Sequence, residues 1–503
     1  MLVRETRRLI FIVLPLFIIL FISWRFYNDE PIEVPAGVGD WMDRKFDKNP
    51  EPNLVDQEQK ESTDSASHDK GSNQVAPSPN VNVISSKPTA DHEQPNLPII
   101  PGQPITPSTS SDPVIPAAPV AATKIEDTHD IIYAISTSDK KYFTIKMGNQ
   151  EVMNPNIIPH PSIPDTWIVV AQQDGSFSTN MRYFTELYCN AQFLSNGTLA
   201  CIHDPTILPI EPTTSDKCEG NLAFAAFNVG PHDARVFYGP KIPYTIYGSQ
   251  SSYSCFGLWA QDLRELVQWG NDPVESKLFS NGTEIQRPPP WGRIEKNFFL
   301  FWDTDETLYA HHDMTPKRVF AKVEADGSVG PDLAPAVALN DDKCLTKYLP
   351  KLAPESESIH QATNSLSITL CNRSDSTCSP TDENTVLFTV YQHKKFHYLH
   401  ALYEPYVMAY NRTAPFEIYG MSKKPIWING RVMPEAKSEM EDPHHVAGQE
   451  MLYVVSMNWK KAGQNYHGFQ DDELLLSFGI EDHHAGAIDI LAGDLFKGLG
   501  RCE

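Results

Sequence analysis

GPHDARVFYGPKIPYTIYGSQS, residues 230–251, decides how this chain is read. Its β-branched and aromatic residues alternate on either side of a Gly-Pro turn, which predicts two strands joined as a hairpin. His232, Asp233 and Arg235 sit where the first strand begins, so an imidazole, an acid and a base crowd the mouth of a strand.

The pattern recurs along the chain. A polar lead, a strand, a turn and a second strand can be traced in NPNIIPHPSIPDTWIVVAQQ (154–173), again in 232–250, and in EKNFFLFWDTDETLYAHHD (295–313). It returns in ATNSLSITL with TVLFTVYQ (362–392), and in YVVSMNWK with ELLLSFGIEDHHAGAIDI (453–490). Amphipathic helical stretches are scarce, FGLWAQDLRELVQW (256–269) being the best. The strand–helix alternation of a parallel nucleotide-binding sheet is absent. Repeated hairpin units of roughly 50–75 residues predict an all-β fold, a five-bladed β-propeller over residues 128–503.

The segments ahead of it read differently. Residues 9–24, LIFIVLPLFIILFISW, follow Arg4, Arg7 and Arg8 and precede Asp29 and Glu30, which predicts a transmembrane signal anchor over 9–27 with a cytosolic tail, 1–8. Residues 28–127, rich in Pro and Ser, predict a disordered stem. The expectation is a single-pass type II protein of the Golgi or ER membrane, its large domain luminal. All eight cysteines lie beyond residue 188, as suits disulfides in an oxidising compartment, and Cys371 and Cys378 are close enough in sequence to staple a local loop. Sequons at Asn196, Asn281, Asn372 and Asn411 agree with that compartment. A net charge of −23 argues against a nucleic-acid partner, which needs a basic face.

In a propeller the leading end of each innermost strand faces a shared axial pocket. Asp233, with His232 and Arg235 beside it, therefore faces that pocket, joined by Asn154 and Asn156, Glu295 and Lys296, His360 and Gln361, and Asp482. Carboxylates, amides and imidazoles with aromatic rings nearby suit a sugar.

The lead GPHDARVF with YTIYGSQ, the NPNII stretch and LLLSFGIEDHHAGAIDI together resemble motifs of the five-bladed propeller mannoside phosphorylases and their relatives, the β-1,2-mannosyltransferases. The resemblance follows a spacing pattern over roughly residues 150–495. It implies Asp233 as the acid or base at the glycosidic oxygen, with Asp482, Asn154, Lys296 and Arg235 as sugar or phosphate contacts; separately, no cofactor is expected. His232 and Ala234 stand where that signature has Glu and Pro.

Other readings compete. Asp303-Thr304-Asp305 matches the Asp-x-Asp that holds Mn²⁺ on a nucleotide-sugar diphosphate, although a polar β-turn between two strands explains it more cheaply. The His-rich spots lack zinc-site spacing, and no Gly-x-Ser-x-Gly elbow is present. Asp482 as a second carboxylate keeps hydrolysis or phosphorolysis open, and an inert pocket would make a lectin-like module. The expectation is a glycosyltransferase that moves a sugar, mannose above all, from a donor to a glycan acceptor.

Overall fold

The computed structural model describes residues 124–178, 181–270, 275–353, 356–397, 400–432 and 450–502. The expected tail, anchor and all but the last residues of the stem lie outside them. One expectation is corrected: among the described residues no helix is long and apolar enough to cross a membrane, so a single-pass type II placement in a Golgi or ER membrane has no spanning helix to rest on.

The fold is all-β, built from antiparallel meanders. In the first, Val152–Pro159 pairs with Trp167–Ser178, then Met181–Phe193, then Leu199–Cys201. The second runs His232–Tyr238, Pro243–Gln250, Phe256–Asp262, Thr283–Ile285. The third has Phe299–Trp302, Leu308–Asp313 and Val319–Lys322. The fourth starts at Leu366–Thr369 and continues through Thr385–His397, His400–Asn411 and Ile418–Ser422. The fifth has Leu452–Trp459, Glu473–Ile480 and His484–Leu491, and its outermost strand is Phe143–Lys146, from the opposite end of the described chain.

Buried polar side chains tie each first strand to the next. Asn156 donates to the Ala234 carbonyl at 2.7 Å and accepts the Val236 N–H at 2.9 Å, joining the first to the second. Arg235 donates to the Phe298 carbonyl at 3.3 Å, just ahead of the third. The Ser365 hydroxyl donates to the Leu300 carbonyl at 2.8 Å, and Asn364 brackets Met457 with a donated bond of 2.9 Å and an accepted one of 3.0 Å. Leu452–Trp459 packs against Val152–Pro159, which completes the cycle. Edges of neighbouring strands with no room for a continuous ladder need such substitutes, because a buried unpaired backbone group is costly. Between the meanders the core is aromatic: Phe299, Phe301, Phe320, Phe388, Tyr410 and Phe416 are fully buried, each contributing roughly 1.5–3 kcal/mol.

Residues 256–269 depart from their helical pattern. Phe256–Asp262 is a strand paired throughout with Pro243–Gln250, and only Leu263–Glu265 coils, as a 3₁₀ turn capped by Asp262. Tertiary pairing overrides a local preference here. All eight cysteines pair: Cys189–Cys201, Cys218–Cys255, Cys344–Cys502 and Cys371–Cys378. Cys344 lies on the helix Ala338–Tyr348, and the C-terminal strand Leu499–Arg501 beside Cys502 pairs with Ile418–Ser422, so this bridge pins the fourth meander.

Candidate active site

The leading ends of the first strands converge on a cavity of about 550 Å³ lined by Asn154, Gln172, Arg182, Asp233, Lys296, Asn297, His360, Lys394, Tyr403, Tyr453, Asp482 and neighbouring atoms of Met153 and His483. Three successive meanders enter it through a left-handed residue: φ is +52° at Asn154, +50° at Asp233 and +70° at Asn297. Asn and Asp tolerate that region better than other non-glycine residues. Asn154 and Asp233 each sit in a β-bulge, where the pairing register shifts between Met153 and Asn156 and between Ile246 and Gly248. A bulge turns its side chain out of the alternation and re-aims it. Asp482, also left-handed at +51°, lies in the turn between two strands of the fifth meander.

The two carboxylates are driven in opposite directions. Burial works against the charge on Asp233, but Lys296, His232, the Asn154 amide and Arg235 together hold its pKa below the usual carboxylate value. The Asn154 Nδ2 donates to Oδ1 at 2.8 Å, and Lys296 Nζ stands 3.7 Å from Oδ2. Asp482 is exposed, yet the protein around it strips enough water to raise its pKa, and the charge of Asp233 raises it further. Burial, seconded by Lys394, Lys296 and Arg235, lowers His360 to about 4, and it enters the site as a neutral imidazole bonded to Ser358 at 3.0 Å. His232 is lowered to about 4, again chiefly by burial.

One wall is aromatic. Tyr403 meets Tyr453 edge-on at 4.9 Å and His360 at 6.2 Å between ring centres. Lys394, directly opposite Tyr403 across the long hairpin of the fourth meander, has its ammonium 5.6 Å from the Tyr403 ring. Burial and then Lys296 lower the Lys394 pKa. Cations, amides, two carboxylates and ring faces in one cavity suit a polyhydroxylated ligand that carries or develops charge.

Not every expected residue lines this cavity. Asn156 spends its amide on the second meander, as described, and Arg235 is buried behind the pocket, donating to Asn297 Oδ1 at 2.9 Å. Glu295 is paired with Arg287 at 2.8 Å, and Gln361 is bonded to the His312 carbonyl at 2.8 Å. Asp303 accepts the Asp305 and Thr307 N–H groups at 2.9 and 2.8 Å and the Tyr309 hydroxyl at 3.1 Å. It borders a different cavity, of about 560 Å³, at the far ends of the same first strands with Pro240, Trp302 and Tyr466. Among the described residues no group of three His, Cys, Asp or Glu is placed to hold a metal ion. Asn196, Asn281 and Asn372 are exposed and Asn411 is half-buried.

No family model matches the chain, and neither does any curated protein. Among solved structures it is similar to a glycosyl hydrolase from Bacteroides ovatus, at 10% identity over 72% of this chain and 91% of that one, with a TM-score of 0.33. It is similar also to the catalytic domain of a Coprinopsis cinerea GH62 α-L-arabinofuranosidase, at 7% identity over 70% and 96% of the two chains, TM-score 0.35. An endo-arabinase from Bacteroides thetaiotaomicron gives 9% identity over 69% and 96%, TM-score 0.30.

Proposed function

We propose that residues 128–503 form a five-bladed propeller whose axial pocket is the active site of a carbohydrate-active enzyme, and that its reaction is glycosyl transfer. The observation that carries this is that Asp233, bonded by the Asn154 amide at 2.8 Å with Lys296 3.7 Å away, and Asp482 line one cavity, in surroundings that push their pKa values in opposite directions. Two carboxyl groups whose surroundings push their pKa values apart divide into a base and an acid. Asp482, the group kept protonated to higher pH, gives its proton to the departing glycosidic oxygen. Asp233, ionised, takes the proton of the acceptor hydroxyl as its oxygen bonds to the anomeric carbon. Tyr403 and Tyr453 offer ring faces to the sugar. Mannose is the sugar that the sequence resemblance implies.

A second reading, phosphorolysis, is supported by Lys296, Lys394 and Arg182 around the same cavity, a cationic set suited to a phosphate group on the donor or the attacking nucleophile.

The test uses the purified full chain with GDP-mannose or mannose-1-phosphate as donor, manno-oligosaccharides as acceptor, and inorganic phosphate for the reverse direction, with and without EDTA. Transfer should survive EDTA and fall by about a hundredfold or more in both Asp233→Asn and Asp482→Asn. Chelator-sensitive transfer would move the chemistry to Asp303 and Asp305. Glycan retention with no turnover would make the domain a lectin-like binder.

A further inference from the structure

Gln172 and Glu186 face each other across the hairpin of the first meander. Both side chains reach out of their own sheet to the bulge of the second. The Asp233 N–H donates to Gln172 Oε1 at 2.7 Å, and the next N–H in the chain, that of Ala234, donates to Glu186 Oε1 at 3.0 Å. These two residues are the ones without a ladder partner, since pairing passes from His232 with Gly248 directly to Arg235 with Ile246. A non-glycine residue at φ +50° persists only when its surroundings hold it there.

Glu186 is fully buried, and its Oε2 has no hydrogen-bond partner among the described residues. A carboxylate in that state would be strongly disfavoured. Burial above all, and the charge of Asp233 after it, raises the Glu186 pKa well above the ordinary value, although the Ala234 N–H pulls the other way. Asp233 is the charged group that acts on Glu186; around Asp233 stand Lys296, His232 and Arg235, with Arg182 acting in turn on His232.

We infer that Glu186 is a positioning residue, held as a neutral carboxylic acid, that acts with Gln172 to clamp the bulge and aim Asp233 into the pocket. Neutrality is part of the device. A second negative charge at this spot would raise the pKa of Asp233 and undo the work of Lys296 and Asn154. The inference rests on the reading of Asp233 as the ionised carboxylate of the site.

The test follows the Asp233 carboxyl carbon by NMR against pH in the full chain, its resonance assigned by loss in Asp233→Asn. Glu186→Gln keeps the acceptor and carries no charge, so the Asp233 midpoint should stay in place. Glu186→Ala and Gln172→Ala each free an N–H of the bulge and should raise that midpoint by about one unit as the Asn154 and Lys296 contacts lose their aim. A midpoint lowered by Glu186→Gln would show that native Glu186 is charged and overturn the inference. So would alanine variants with an unmoved midpoint. If Glu186→Ala does not fold, Gln172→Ala reads the same clamp. The measurement needs no turnover, so an intact titration response in an inactive protein would count against glycosyl transfer alone.

Discussion

Asp233 and Asp482 start from the same ordinary pKa of 3.8 and are separated by what stands around them. Activity that needs Asp233 ionised and Asp482 protonated rises as pH passes upward through the first pKa, below 3.8, and falls as pH passes through the second, above 3.8. A bell-shaped kcat/KM profile with an acidic optimum is therefore expected. Asn154→Gly tests the lower limb without disturbing the backbone, because glycine accepts the left-handed conformation while the amide that bonds Asp233 is lost. The acid limb should move upward and the alkaline limb stay. A profile that keeps its acid limb would remove Asn154 from the electrostatics of Asp233.

At the scale of elements, the site is made by bulges and by unequal hairpins. The pairs 167–178 with 181–193, and 385–397 with 400–411, have strands of 12 or 13 residues, longer than the strands of 8 or fewer in the other meanders. Their ends carry Arg182, Lys394 and Tyr403 to the cavity. None of these three was legible in the sequence, because each sits inside an ordinary strand pattern and reaches the pocket only through the length of its hairpin. Asn154, Asp233 and Asp482 were legible because a polar residue ahead of or between strands is a local signal. Lys296, ahead of the third meander, was legible in the same way, but its neighbour Asn297 also lines the cavity, through a left-handed backbone that the sequence does not announce. Asn156 shows the reverse case, a residue singled out as a ligand contact whose amide instead joins two meanders. Asn156→Ala leaves the Val236 N–H and one contact of the Ala234 carbonyl unmet at a fully buried position. Denaturant titration should show a loss on the order of 2 kcal/mol. A change near zero would mean that the first and second meanders are held together without it.

For the whole molecule, the question is how a cycle of meanders stays shut. Its seam lies in the fifth, where Phe143–Lys146 pairs with His484–Leu491 on one side and in parallel with Leu199–Cys201 of the first meander on the other. Chain segments more than three hundred residues apart thus share one sheet, a long-range pairing that no local pattern announces. Away from the seam, Cys344–Cys502 ties the helix Ala338–Tyr348 to the chain's last strand across 158 residues, whereas Cys371–Cys378 closes a separation of only 7. A cross-link removes more freedom from the unfolded chain the longer the loop it closes, which gives about 5 kcal/mol for the first and about 2 for the second. Replacing each pair by serines should therefore lower the unfolding midpoint far more for Cys344 and Cys502 than for Cys371 and Cys378. Equal losses would locate the value of both bridges in local packing, and the closure of the cycle would then rest on the strand at the seam and the buried amides between meanders.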